Sequence, residues 1–129
     1  MSPNVSISDA AVIGPDELYD RVSRAVELDV GRTGATVFAI DPEMSDTKEF
    51  ATRYEVAMSR CANCIVTASG RGENVKFAMA LVPATHRLDT KVVQREVGGK
   101  TSFARPDDAA RATGMQFGAI TPLGRDERM

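Results

Sequence analysis

Apolar positions along this chain fall into short runs that switch between helical and alternating spacing, broken by glycine and proline. Pro15-Asp16-Glu17 has the character of a helix start, because proline fits a first turn and acidic side chains favour the positive end of the helix. Leu18, Val22, Ala25 and Val26 follow at helical spacing, Asp29-Val30 extend the pattern, and Gly31 and Gly34 are expected to end it. Residues 36–40 read as a strand stopped by Asp41-Pro42, and residues 47–57 as a helix capped by Ser45 or Asp46. Residues 61–68 are rich in β-branched side chains and read as a strand. Residues 69–72 are the hairpin loop and 75–82 the antiparallel partner, closed by Pro83. A helix capped by Asp89 runs to about residue 97. Residues 101–104 form a short strand and 106–112 a short helix, with Gly114 as a left-handed stop.

This order predicts an α/β (α+β) fold: a mixed, largely antiparallel sheet flanked by helices. Residues 1–14 read as a flexible lead and 15–129 as a single domain, and no internal repeat is visible. At 129 residues such a domain buries enough surface to fold without a disulfide or metal staple. The hydrophobic content of 43% is that of a globular protein, and no apolar run approaches a bilayer span. With Asp9 and no basic stretch near the start, no signal peptide is expected; with only two cysteines, the expected setting is reducing and cytoplasmic.

The net charge of −2 argues against a generic nucleic-acid binder, but its distribution is uneven. Residues 1–58 carry 11 acidic and 5 basic side chains, residues 59–129 carry 7 acidic and 11 basic. The positive half can steer a polyanion while the whole molecule stays acidic, although a solvated surface of uneven charge gives the same count.

The positive half also holds the densest glycine signal, Thr113-Gly114-Met115-Gln116-Phe117-Gly118-Ala119-Ile120-Thr121-Pro122-Leu123-Gly124. A loop of this kind can aim backbone N–H groups into a pocket, or simply join two strands. Cys61-Ala62-Asn63-Cys64 has redox or zinc spacing, but it lies at a strand start, where residues three apart face opposite sides. The chain has no further cysteine and one histidine, His86, which reads as a surface loop residue. No metal or cofactor is expected, and no Ser–His–Asp spacing is visible. By strand alternation Asn63, Ile65 and Thr67 share one face.

Three motifs in order, Leu88-Asp89-Thr90-Lys91, Thr113-Gly114 and Gly118-Ala119-Ile120-Thr121-Pro122-Leu123-Gly124, resemble the YbaK/ProX family of aminoacyl-tRNA deacylases, proofreading domains related to the insertion domain of prolyl-tRNA synthetase. The resemblance covers roughly residues 46–124. It implies a mixed sheet flanked by helices with a pocket on one side, no cofactor, and catalysis without a nucleophile triad. It places the catalytic glycine at Gly118. The backbone N–H groups of Gly118 and Ala119 would bind the oxyanion of ester hydrolysis, Asn63 and Thr121 would orient amino acid and water, and Ile65, Thr67, Phe117 and Pro122 would contact substrate. Arg87, Lys91 and Lys100 would hold the tRNA acceptor end.

Three departures stand out. Asn63 occupies the position where the family usually carries a pocket lysine, Ala119 replaces a second glycine, and the chain stops soon after the P-x-G element. Strands missing after that element would leave an open sheet edge, for which a homodimer or other self-association is expected. The reading that follows is trans-editing hydrolysis of a mischarged aminoacyl-tRNA carrying a small amino acid, with an aminoacyl-tRNA synthetase as a possible partner and no membrane association. The alternatives are a catalytically silent module of the same fold that binds an aminoacyl or tRNA ligand, and a protein-interaction domain.

Overall fold

The computed structural model describes residues 6, 7, 10–14, 24–116 and 118–124. Its centre is a three-stranded sheet in the order β2-β1-β3, antiparallel throughout. Strand β1 (Ala62–Ser69) contains the β-branched run Ile65-Val66-Thr67, and pairs along its whole length with β2 (Lys76–Pro83), from Ala62↔Pro83 to Ser69↔Lys76. Both strands lie one residue later than the pattern predicts. Strand β3 (Thr101–Phe103) pairs only with the last three residues of β1, Thr67↔Phe103 to Ser69↔Thr101. Among the described residues, the first half of β1 therefore has no strand on that side, and this gap is where the cleft forms.

Among the described residues there are four α-helices besides the sheet. Helix α1 (Arg24–Thr33) runs through Gly31 and stops at Gly34, where φ is 70° and the N–H still reaches the Val30 carbonyl. Its expected start at Pro15 lies outside the described residues. Helix α2 (Thr47–Arg53) is shorter than predicted. Tyr54 is buried, and its hydroxyl accepts from the Asp41 N–H at 2.7 Å. The chain turns there through Glu55 at φ 54°, and the Val56 N–H reaches back to the Ala51 carbonyl, a six-residue closure that ends a helix. Helix α3 (Thr90–Val97) packs across the sheet; the Asp89 carboxylate caps it by accepting from the Lys91 N–H at 2.9 Å. Helix α4 (Pro106–Thr113) ends on Gly114 in the left-handed conformation and buries Ala109.

The expected strand at 36–40 is a single bridge. Val12 pairs with Phe38, and two backbone hydrogen bonds flank it, Ile13 N–H to Val37 and Ala39 N–H to Ala11. The segment expected to be a loose lead is thus pinned at residues 11–13. Among the described residues the buried apolar side chains are Ala51, Tyr54, Val66, Val82 and Ala109, and buried hydroxyls accompany them. Ser69 and Thr101, paired across β1 and β3, join their buried hydroxyls at 2.6 Å. The loop after residue 120 folds back onto α1, where the Gly124 N–H donates to the Asp29 carboxylate at 2.6 Å. A side chain on Gly124 would meet the backbone N of Val26 at 2.7 Å, and its φ is 77°, so both the close approach and the backbone angle need glycine here.

Candidate functional site

Beside the half of β1 that no described strand covers on the β3 side lies an open cleft of about 680 Å³, within the range of ligand sites. Its walls come from four places: the start of α2 (Ser45, Asp46, Thr47), residues 62–66 of β1, the end of β3 (Phe103, Ala104) with Ala109 of α4, and the loop at Gly118 and Ile120. The Ala104 N–H donates to the Val66 carbonyl at 2.9 Å and so anchors the α4 side of the cleft to the strand.

One side-chain hydrogen bond organises the cleft. The Thr47 hydroxyl donates to Asn63 Oδ1 at 2.7 Å, across 16 residues of sequence. With its carbonyl committed to Thr47, Asn63 has its Nδ2 hydrogens left to offer. Thr47 reads from sequence only as part of a helix start, and no local pattern reveals its role. Asp46 holds the backbone position of a cap, but its carboxylate accepts no capping hydrogen bond, contrary to the capping role expected for it. The residue lines the cleft instead.

The glycine loop differs in detail from its sequence reading. Gly118 lines the cleft at φ 93°, a conformation that favours glycine, and no described carbonyl accepts from its N–H. The Ala119 N–H is already used, donating to the Gln116 carbonyl at 2.9 Å and closing the turn that carries Gly118. Thr121 lies outside the cleft walls; its hydroxyl accepts from the Leu123 N–H at 3.2 Å and its N–H faces the Met115 sulfur. Of the residues expected to contact substrate, Ile65 lines the cleft. Thr67 is fully buried with its hydroxyl on the Ala78 carbonyl, so it holds the sheet and touches no ligand. Pro122 is not part of the cleft wall, and Phe117 lies outside the described residues. Arg87, Lys91 and Lys100 are exposed before, on and after α3, along the helix rather than in the cleft.

Both cysteines are free. The Cys61 thiol faces the Ala57 carbonyl, while Cys64 lines the cleft, where burial pushes its thiol pKa up and disfavours the reactive thiolate. Among the described residues no three His, Cys, Asp or Glu side chains assemble as a metal site. The His86 ring bonds its neighbour Thr85 in an exposed turn. No described helix is long and apolar enough to cross a membrane.

Among solved structures, the hypothetical protein APE2540 matches with a TM-score of 0.69 at 18% identity, covering 81% of this chain and 69% of its own. A candidate trans-editing enzyme for prolyl-tRNA synthetase matches with a TM-score of 0.64 at 22% identity, covering 81% of this chain and 68% of its own. At these identities the likeness is one of fold. The family model of the aminoacyl-tRNA editing domain matches residues 41–129, which include every described wall of the cleft. The chain belongs to the aminoacyl-tRNA editing domain family.

Proposed function

We propose that this chain hydrolyses the ester of a mischarged aminoacyl-tRNA bearing a small amino acid, and that the reaction takes place in the cleft beside β1. The observation that carries the reading is that two residues with neutral donors, Asn63 with its amide oxygen held by Thr47 and Gly118, line one cleft of an editing-domain fold. Attack of water on the ester carbonyl puts negative charge on that oxygen, and preorganised N–H donors stabilise it without any nucleophilic side chain. Gly118 takes this role alone from the loop, because the Ala119 N–H is held in the turn. The Asp46 carboxylate, not used for capping, is the partner for the substrate's α-ammonium group. Ile65 and Ala109 are apolar residues of the cleft wall against which the amino-acid side chain would lie. The volume exceeds that of an amino acid alone and suits an aminoacyl-nucleoside.

Arg87, Lys91 and Lys100 offer an exposed cationic line for the acceptor stem, and a synthetase that mischarges the same tRNA is the natural partner. The outer edge of β2, with Leu81 58% exposed, is the surface for a homodimer, which a monomeric mass by light scattering at tens of micromolar would reject. A cytoplasmic location follows from this role in translation.

A second reading is favoured by one observation: the described cleft wall carries no cation and no imidazole. On that reading the fold binds the charged acceptor end without turnover. The deciding experiment measures amino-acid release from tRNAs mischarged with alanine, serine and cysteine, by the native chain and by Asn63→Lys. Release by the native chain supports the deacylase. Binding without release, relieved by Asn63→Lys, supports the silent module, and silence in both with no binding rejects both.

A further inference from the structure

Phe103 is the one aromatic side chain on the described cleft wall, and it is 57% exposed. Single exposed apolar side chains are ordinary, so exposure alone decides nothing. Its position does. Phe103 pairs with Thr67, four residues along β1 from Asn63, which at a rise of about 3.3 Å per residue is about 13 Å along the strand. The ring therefore stands toward the opposite end of the cleft wall from Asn63, with room for the ester and ribose between them. Arg105, two residues further on, is exposed and takes part in none of the described ion pairs, so its cation is available to an adjoining phosphodiester.

We propose that Phe103 is the platform on which the terminal purine of the acceptor end stacks, fixing the ester over Asn63 and Gly118. The inference rests on the editing reading above and adds to it the means by which the nucleoside is held. A flat ring presented at a rim can take the face of a base, and the contact is tolerant of sequence. Such an interaction is made equally in ground and transition states, so its loss raises KM and leaves kcat in place.

The chain contains no tryptophan, so Phe103→Trp introduces a single reporter at the platform. Its fluorescence is titrated with an uncharged acceptor-stem RNA ending in CCA, and with the same RNA lacking the terminal adenosine. Quenching by the first and not by the second is expected; equal response, or none, overturns the proposal whether or not the chain turns over. In parallel, Phe103→Ala is expected to raise KM for alanyl-tRNA about tenfold with kcat within about twofold, and Phe103→Tyr to restore it. Phe103→Leu, which keeps apolar bulk but not the flat ring, is expected to stay impaired; full activity of Phe103→Leu would assign the residue to packing and overturn the stacking role. If the native chain releases no amino acid, the deacylase reading fails on its own, and the fluorescence titration still decides the platform.

Discussion

Replacing Thr47 with valine removes one hydroxyl and keeps the shape of the side chain. The hydroxyl donates to Asn63 Oδ1 at 2.7 Å, and both residues are half-buried. A neutral hydrogen bond of this kind contributes about 1 kcal/mol net, and because water reaches Asn63 once the bond is gone, the effect stays near that figure. Thr47→Val is therefore expected to lower stability by about 1 kcal/mol in urea unfolding followed by far-UV circular dichroism. The same energy holds the Asn63 amide in one orientation. At about 1.4 kcal/mol per decade, its removal lowers kcat about fivefold, by letting the amide present its carbonyl to the developing oxyanion. The pairing is isolated by the cycle of Thr47→Val, Asn63→Ala and the double variant, which should couple by about 1 kcal/mol in stability and be non-additive in kcat. Additivity within about 0.3 kcal/mol, together with unchanged kcat in Thr47→Val, would refute the argument that this bond aims Asn63.

Gly124→Ala should destabilise the fold by about 2 kcal/mol or more in thermal or urea unfolding, because its Cβ would press on Val26 at a positive φ; an unchanged midpoint would contradict the docking of this loop on α1. Burial raises the Cys64 pKa, so the unfolded chain loses this proton first. The stability contribution is complete below the unfolded thiol value of about 8.5 and fades as pH rises through the folded value, and iodoacetamide near pH 8 should label native Cys64 more slowly than urea-unfolded Cys64. Alanine at Arg87, Lys91 or Lys100 should weaken tRNA binding and reduce the salt slope by about 0.7–0.9 for each phosphate that is no longer neutralised; unchanged slopes would move the RNA-binding surface elsewhere.

Local chemistry made much of this fold legible in the sequence. The β-branched run before Gly70 marks β1, Asp89 announces α3 through its own cap, and Gly114 closes α4 at the predicted residue. Helix α2 ends early because Tyr54 is drawn inward to bond the Asp41 N–H, an interaction across 13 residues that periodicity does not carry. The site follows the same division. Asn63, Ile65 and Gly118 reach the cleft wall as the strand and glycine loop suggest, but residues 62–66 line it consecutively along the open strand edge, so alternation does not single them out. Thr47, Asp46 and Phe103 reach it only through tertiary placement, each having an ordinary local explanation in the sequence. Ala119 illustrates the converse: its neighbourhood suggests a free amide, but the turn that presents Gly118 consumes that N–H.

The most direct test of the account compares hydrolysis of one tRNA carrying alanine with the same tRNA carrying leucine or phenylalanine. Release of alanine well above the spontaneous rate is expected, with little release of the larger residues and disappearance of the alanine activity in Asn63→Asp, which removes a donor and adds charge where the oxyanion forms. Alanine release no faster than the spontaneous rate by a folded native chain, or release indifferent to Asn63→Asp, would contradict the account.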